Sequence, residues 1–203
     1  MSTSPYDIDR DLREAKALAD GLIPYLYESA LYGSVRTGLF GGGNMPALTI
    51  GAVLLRLRRL RALADRLSAP QREQLSAIER THDNARAEWR QHYGDKLNQE
   101  ALSRLKAMAT FFDECEEAPR QCAGIYPPEV LRRTIVQEIK RALEESGTVS
   151  EELTKELRRV DGKLRRFAQP APFLWHPNLE AVYPPTEFWW LYAHPPIGDR
   201  ESL

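Results

Sequence analysis

Between Gln71 and Glu117 the apolar side chains Leu75, Ile78, Ala85, Trp89, Tyr93, Leu97, Ala101, Leu105, Met108, Phe112 and Cys115 recur at steps of three, four or seven. That spacing keeps one face of a helix turned the same way along the whole stretch. These 47 residues predict one long helix or two nearly collinear ones. Unbroken, such a helix spans roughly 70 Å at about 1.5 Å per residue, so every other element must pack along it or project from it. The stripe keeps its phase across Tyr93 and Leu97, which predicts that the rod continues through Gly94.

The rest of the chain reads as shorter helices around this rod. Ser4 and Pro5 suit a helix start, and a kinked helix is expected over about 5–33, interrupted at Gly21 and Pro24. Pro46 is expected to open a helix over 46–67, with Val53, Leu57, Leu60, Ala64 and Leu67 on one stripe. Ser68-Ala69-Pro70 leaves room only for a tight reversal into the rod. The rod closes among Asp113, Glu114, Glu116 and Glu117, acids that oppose the helix dipole, so this end is expected to fray or to be paired by arginines elsewhere. Pro127-Pro128-Glu129 opens a helix over 128–145, closed by Gly147. A last helix over 149–168 carries Leu153, Leu157, Val160, Leu164 and Phe167 at coiled-coil-like spacing. From residue 169 to 203 the composition changes, and the segment from Ala168 onward holds half of the chain's 14 prolines and three of its four tryptophans. No helix beyond about three turns fits between those prolines, Thr186 to Ala193 being the best candidate. The fold class read from this pattern is all-α: an elongated helical bundle, residues 1–168, built on one long helix, with a Pro/aromatic-rich C-terminal tail packing on it.

Charge and cysteine content narrow the function classes. The formal net charge is −1, so no overall field draws the chain to nucleic acid or anionic lipid. The longest nearly apolar run, Met45 to Leu55, is about half of the roughly 20 residues that cross a bilayer. No membrane role and a cytoplasmic location are the expectation. Cys115 and Cys122 make no disulfide framework, and Cys115 lies among carboxylates that disfavour a reactive thiolate.

Several motifs bear on chemistry. Glu79-Arg80-Thr81-His82 matches the Glu-x-x-His pairing by which ferritin-like bundles hold iron or manganese, but such a site needs a second copy, and His92, His176 and His194 supply none. No metal and no cofactor are expected, and Glu79 and His82 are read as surface side chains. Arg86-Ala-Glu-Trp-Arg-Gln-His92 resembles the Arg-x(4–6)-His motif of HEPN-type helical ribonucleases. That resemblance implies an arginine and a histidine facing a shared cleft in a dimer, with Ala87 standing where a polar residue is usual. The plainer alternative places both on the solvated side of the rod. The loop Gly38 to Gly43 lacks the Lys-Ser/Thr pair and preceding strand of a nucleotide site and reads as a hinge. Arg36, Arg56, Arg58, Arg59, Arg61 and Arg66 face one acid, Asp65, between residues 35 and 66. They form the one foothold for an anionic surface such as nucleic acid, with pairing to acids of a neighbouring helix as the usual alternative.

The expected function is therefore non-enzymatic: a helical scaffold, adaptor or accessory subunit acting through a protein partner or self-association. Phe188, Trp189, Trp190 and Tyr192 are the candidate contact residues, one tryptophan packing back on the bundle and the other left free. The alternative is a helical protein that contacts nucleic acid through the arginine-rich helix 53–66, with a HEPN-like ribonuclease as its enzymatic form.

Overall fold

Local capping chemistry decides where each helix begins. In the computed structural model, residues 6–35, 45–117 and 119–196 are described, the side chains at 117 and 119–121 excepted. The start at Ser4–Pro5, Arg36 and the loop 38–43 lie outside these residues. Helix α1 (Ile8–Asp20) starts behind Asp7, whose carboxylate accepts from the Arg10 amide at 3.2 Å. The chain bends at Gly21, and α2 (Leu22–Tyr27) follows. Pro24 falls in the first turn of α2, where its missing N–H costs nothing, so the bend belongs to Gly21. A Cβ there would lie 2.9 Å from Leu48 Cδ2, so the close approach itself selects glycine. Helix α2 ends at Tyr27 rather than near Gly33, and Lys96 Nζ holds its exit by donating to the carbonyls of Glu28 (2.7 Å) and Ala30 (2.6 Å).

Gly33 and Leu48 exchange backbone hydrogen bonds at 3.0 and 2.8 Å. This bridge keeps the chain extended past Pro46 and delays α3 (Ile50–Ala62), which Thr49 caps through the Ala52 amide. A single 3-10 turn, Ala64–Arg66, finishes the segment. Helix α4 (Ala69–Glu88) starts with a reciprocal capping box between Ser68 and Gln71 and tolerates Pro70 in its first turn.

The rod is broken, but not at Gly94. Helix α5 (Arg90–Glu117) contains Gly94, as the stripe predicts, and the interruption is the single residue Trp89, at φ −114° and ψ 36°. Hydrogen bonds from Trp89 N to Ala85 O and from Tyr93 N to Trp89 O carry the chain across the bend. As a result α4 packs on α1, whereas α5 packs on α7 (Pro127–Ser146) and α8 (Glu151–Phe167). The acidic end of α5 is tied down, with Asp113 paired to Lys163 of α8. Cys115 forms a single disulfide with Cys122 of the short helix α6 (Pro119–Ile125), so neither is a free thiol. Gly147 ends α7 at φ 68°, and Ser150 caps α8 through the Leu153 amide. On α8, Leu153, Leu157, Val160 and Leu164 are all buried.

Helices α3, α5 and α7 meet at Gly51. Its amide donates to the buried Glu100 at 2.9 Å, and Glu100 is paired with Arg104 at 2.8 Å. A negative charge beside the first turn of α3 suits the helix dipole.

The tail folds back on α3 and α7. Two-residue strands β1 (Gln169–Pro170) and β2 (Ala193–His194) pair antiparallel and close it into a loop. The segment 186–193 is not an α-helix; a 3-10 turn, Trp189–Tyr192, stands there. Trp175, Tyr183, Phe188 and Trp190 form a run of edge-on rings with centroids 5.0, 5.0 and 5.4 Å apart. The architecture is thus an all-α bundle on a long helix with an aromatic tail packed against it. Among the described residues no helix is long and apolar enough to cross a membrane.

Candidate functional site: a polar cleft at the helix bend

The arginines of α3 are mostly turned inward, and acids of neighbouring helices take them up. Glu14 of α1 receives Arg56 at 2.5 and 2.8 Å, and Asp11 lies 3.5 Å from Arg59. Arg58 sits 3.4 Å from Glu138, donates to the Val182 carbonyl and covers the Phe188 ring at 4.5 Å. Arg61 is exposed but bonded to Glu79 at 2.6 Å. Arg56, Arg58 and Arg59 therefore stitch α3 to α1, α7 and the tail, and they do not form an open basic face.

The tail aromatics are consumed in the same way. Phe188 and Trp190 are buried, and Trp190 Nε1 donates to Thr134 Oγ1 at 3.0 Å while Arg133 stacks on its ring at 3.7 Å. Their burial removes these two from any contact surface. Trp189 and Tyr192 remain half-buried, Trp189 under the Arg165 guanidinium at 3.9 Å.

The bend at Trp89 leaves a cleft between α4 and α7. Its wider part, about 810 Å³, is lined from α4 and α5 by Asp83, Arg86, Arg90, Tyr93, Asp95, Leu97 and Asn98, and from the α7 end by Ala142, Glu145, Ser146 and Thr148. A narrower part of about 480 Å³ shares Asp83, Arg86, Ala142 and Glu145 with it and adds Leu54, Arg58, Arg61, His82, Glu138 and Arg141. Arg86 and Glu145, 3.3 Å apart, bridge the two walls.

His82 is the buried centre of the α4 wall. Its Nδ1 lies 2.9 Å from Asp83 Oδ1 and its Nε2 lies 2.7 Å from the Tyr93 hydroxyl. Burial holds the imidazole below its ordinary pKa against the opposing pull of Asp83, and burial raises the Tyr93 phenol. A neutral ring then donates from Nδ1 to Asp83 and accepts from Tyr93 at Nε2. The geometry is that of a hydrogen-bonded relay, and both shifts favour the proton on the Tyr93 hydroxyl. Glu138 faces the relay's end of the cleft, and burial pushes its carboxyl up to about 7 despite Arg58 nearby.

Arg86 and His92 do not share this cleft. Arg86 lines it, whereas His92 is exposed beside Trp89 (5.9 Å) and Tyr27 (6.4 Å). Within one chain the arginine–histidine motif is not assembled. Glu79 and His82 have separate partners, and among the described residues no group of three or more metal-ligating side chains comes together.

Reading His82 as a surface residue missed the site. The signal was its position between Ile78 and Ala85 on the apolar stripe, at steps of four and three. Glu138, next to the buried Ile139 on α7, gave no such warning. Comparison with protein-family models, curated proteins and solved structures finds no match for this chain.

Proposed function

We propose that the protein acts by contact rather than by turnover, as a helical scaffold or accessory subunit that associates with itself. The observation that carries this reading is an exposed aromatic face at the bend. Tyr27 is 58% exposed and packs edge-on against Trp89 at 4.3 Å, with His92 beside it and Ile23, on the same helix as Tyr27, 40% exposed. Such rings present apolar area in a fixed geometry, which suits a docking anchor. The chain's net charge of only −1 means that two copies bring little net repulsion to the encounter. The nucleic-acid alternative gains no support of its own, since Arg56, Arg58, Arg59 and Arg61 are paired within the chain.

Sedimentation velocity over a concentration series tests the proposal. The wild-type chain is expected to show a concentration-dependent dimer, and Tyr27→Glu, a surface change that leaves the core untouched, is expected to abolish it. A chain that stays monomeric throughout, or a dimer that Tyr27→Glu leaves intact, overturns it.

A further inference from the structure

The narrow part of the cleft holds two buried polar atoms without a hydrogen bond, Glu138 Oε1 and Arg58 Nε, although Oε1 lies within ion-pair distance of Arg58 (3.4 Å) and Arg141 (3.5 Å). Glu138 is 8% exposed; its Oε1 accepts no hydrogen bond, and Arg58 Nε, 3.4 Å away, donates none. Buried groups of this kind are normally satisfied, and each orphan carries a free-energy cost until something fills the role. Three more guanidiniums line the same space: Arg61, Arg86 and Arg141. Glu79, Glu145 and Glu187 orient these three from outside the pocket or at its rim, the closest contact in each case using one nitrogen. A guanidinium carries five N–H donors, so one such contact does not exhaust it, although Arg141 also turns a second nitrogen to Glu138 at 3.5 Å.

We propose that this pocket binds a small oxyanion, an organic carboxylate or a phosphate, held between Arg58, Arg141 and the carboxyl group of Glu138. An ionised Glu138 would repel such a ligand, while a protonated one offers an O–H donor next to the unused Arg58 Nε–H. Both orphans then point to the same missing partner, a hydrogen-bond acceptor. The charged and titratable groups facing Glu138 are Arg58 and Arg61 from α3, His82, Asp83 and Arg86 from α4, Arg141 and Glu145 from α7, and Glu187 from the tail. Asp83 and Glu145 lie where the pocket opens into the wider cleft, which directs the anion to the Arg58 end. Binding takes up one proton, onto Glu138, a group that burial already brings close to neutrality.

Calorimetric titration of the full chain with succinate and, separately, with inorganic phosphate tests this. Saturable binding of at least one is expected at pH 6, and for succinate, which is fully ionised above about 6.5, it weakens by about tenfold per pH unit above about 7, as one-proton linkage requires. Binding of succinate alone assigns a carboxylate, and of phosphate alone a phosphate. Glu138→Gln, which fixes the neutral form, is expected to bind succinate at pH 8 as at pH 6. Arg141→Gln, at a partly exposed position, is expected to weaken binding at least about tenfold while helicity is kept. No saturable binding of either anion to folded wild-type protein at pH 6 overturns the proposal, and so does binding that Arg58→Gln and Arg141→Gln leave unchanged. The readout is anion affinity, so either result is independent of self-association at the Tyr27 face.

Discussion

Gly51 and Gly94 both lie in helices, yet a methyl group added to each meets opposite surroundings. At Gly51 the new Cβ would lie 2.6 Å from Glu100 Oε1 and 3.0 Å from Ile139 Cδ1, with Ile135 closer still. At Gly94 it would meet nothing within 4 Å. Gly51→Ala should therefore destabilise by about 1–3 kcal/mol through overpacking, while Gly94→Ala should stabilise by up to about 1 kcal/mol through lost backbone freedom in the unfolded chain. Urea denaturation of the two variants checks both signs. Glu138 and His82 make stability depend on pH in opposite directions. The Glu138 carboxyl is raised from 4.5 to about 7, so the folded state holds that proton more tightly, and this contribution is full below about 4.5 and lost as pH rises through 7. His82 is lowered from 6.5, so its contribution is present above 6.5 and lost as pH falls below it. Glu138→Gln should flatten the loss on the alkaline side, with a gain over wild type at pH 8 on the order of 2–3 kcal/mol, read by thermal melts at pH 5 and 8. None of this was legible in the sequence for Glu138, because one acid among the charged positions of α7 looks like any other until a facing helix buries it.

At the scale of elements, periodicity reported what it can report. Periodicity and end signals placed the start of α4, the end of α5, and both α7 and α8 to within a few residues, and Gly147 marked the end of α7, because those signals are local. The bend at Trp89 left no trace, since one non-helical residue that keeps its flanking hydrogen bonds barely disturbs the phase of the stripe. The cleft follows from the bend and was hidden with it. The link between α5 and α6 was hidden for another reason: Cys122 lies seven positions after Cys115, and only the placement of α6 beside the end of α5 brings their Cα atoms to 5.7 Å. Closing so short a loop removes a modest amount of unfolded-state entropy. Replacing both cysteines by alanine should lower stability by about 2–3 kcal/mol, and adding reductant to the wild-type chain should match that loss in chemical denaturation. A stability indifferent to reductant would mean that the bond does not form in solution.

At the scale of the whole molecule, the tail decides whether the bundle is a finished object. The segments 173–177 and 183–192 read as too apolar to stay in water, which left open whether the tail closed the core or reached for a partner. The packing answers for the part that is described: Leu179, Val182, Tyr183, Phe188, Trp190 and Leu191 are buried, and β1 with β2 ties the segment into a loop. The arginines that looked like a binding face are part of the same closure, since Arg58 and Arg59 lie over Phe188 and Trp175 and Arg133 lies over Trp190. Removing the tail would strip these cations of their aromatic cover and open the groove between α3 and α7. Deletion of residues 170–203 is therefore expected to give a chain that binds a hydrophobic dye and melts well below the full-length protein, and not a stable shorter bundle. Trp190→Ala isolates the main anchor. It removes a ring that is 1% exposed and the hydrogen bond to Thr134, and it should cost about 3–5 kcal/mol. Trp189→Ala, beside it but half-buried at the surface, should cost much less. Equal losses at the two tryptophans, or a truncated chain as stable as the whole, would show that the tail rests on the bundle without closing it.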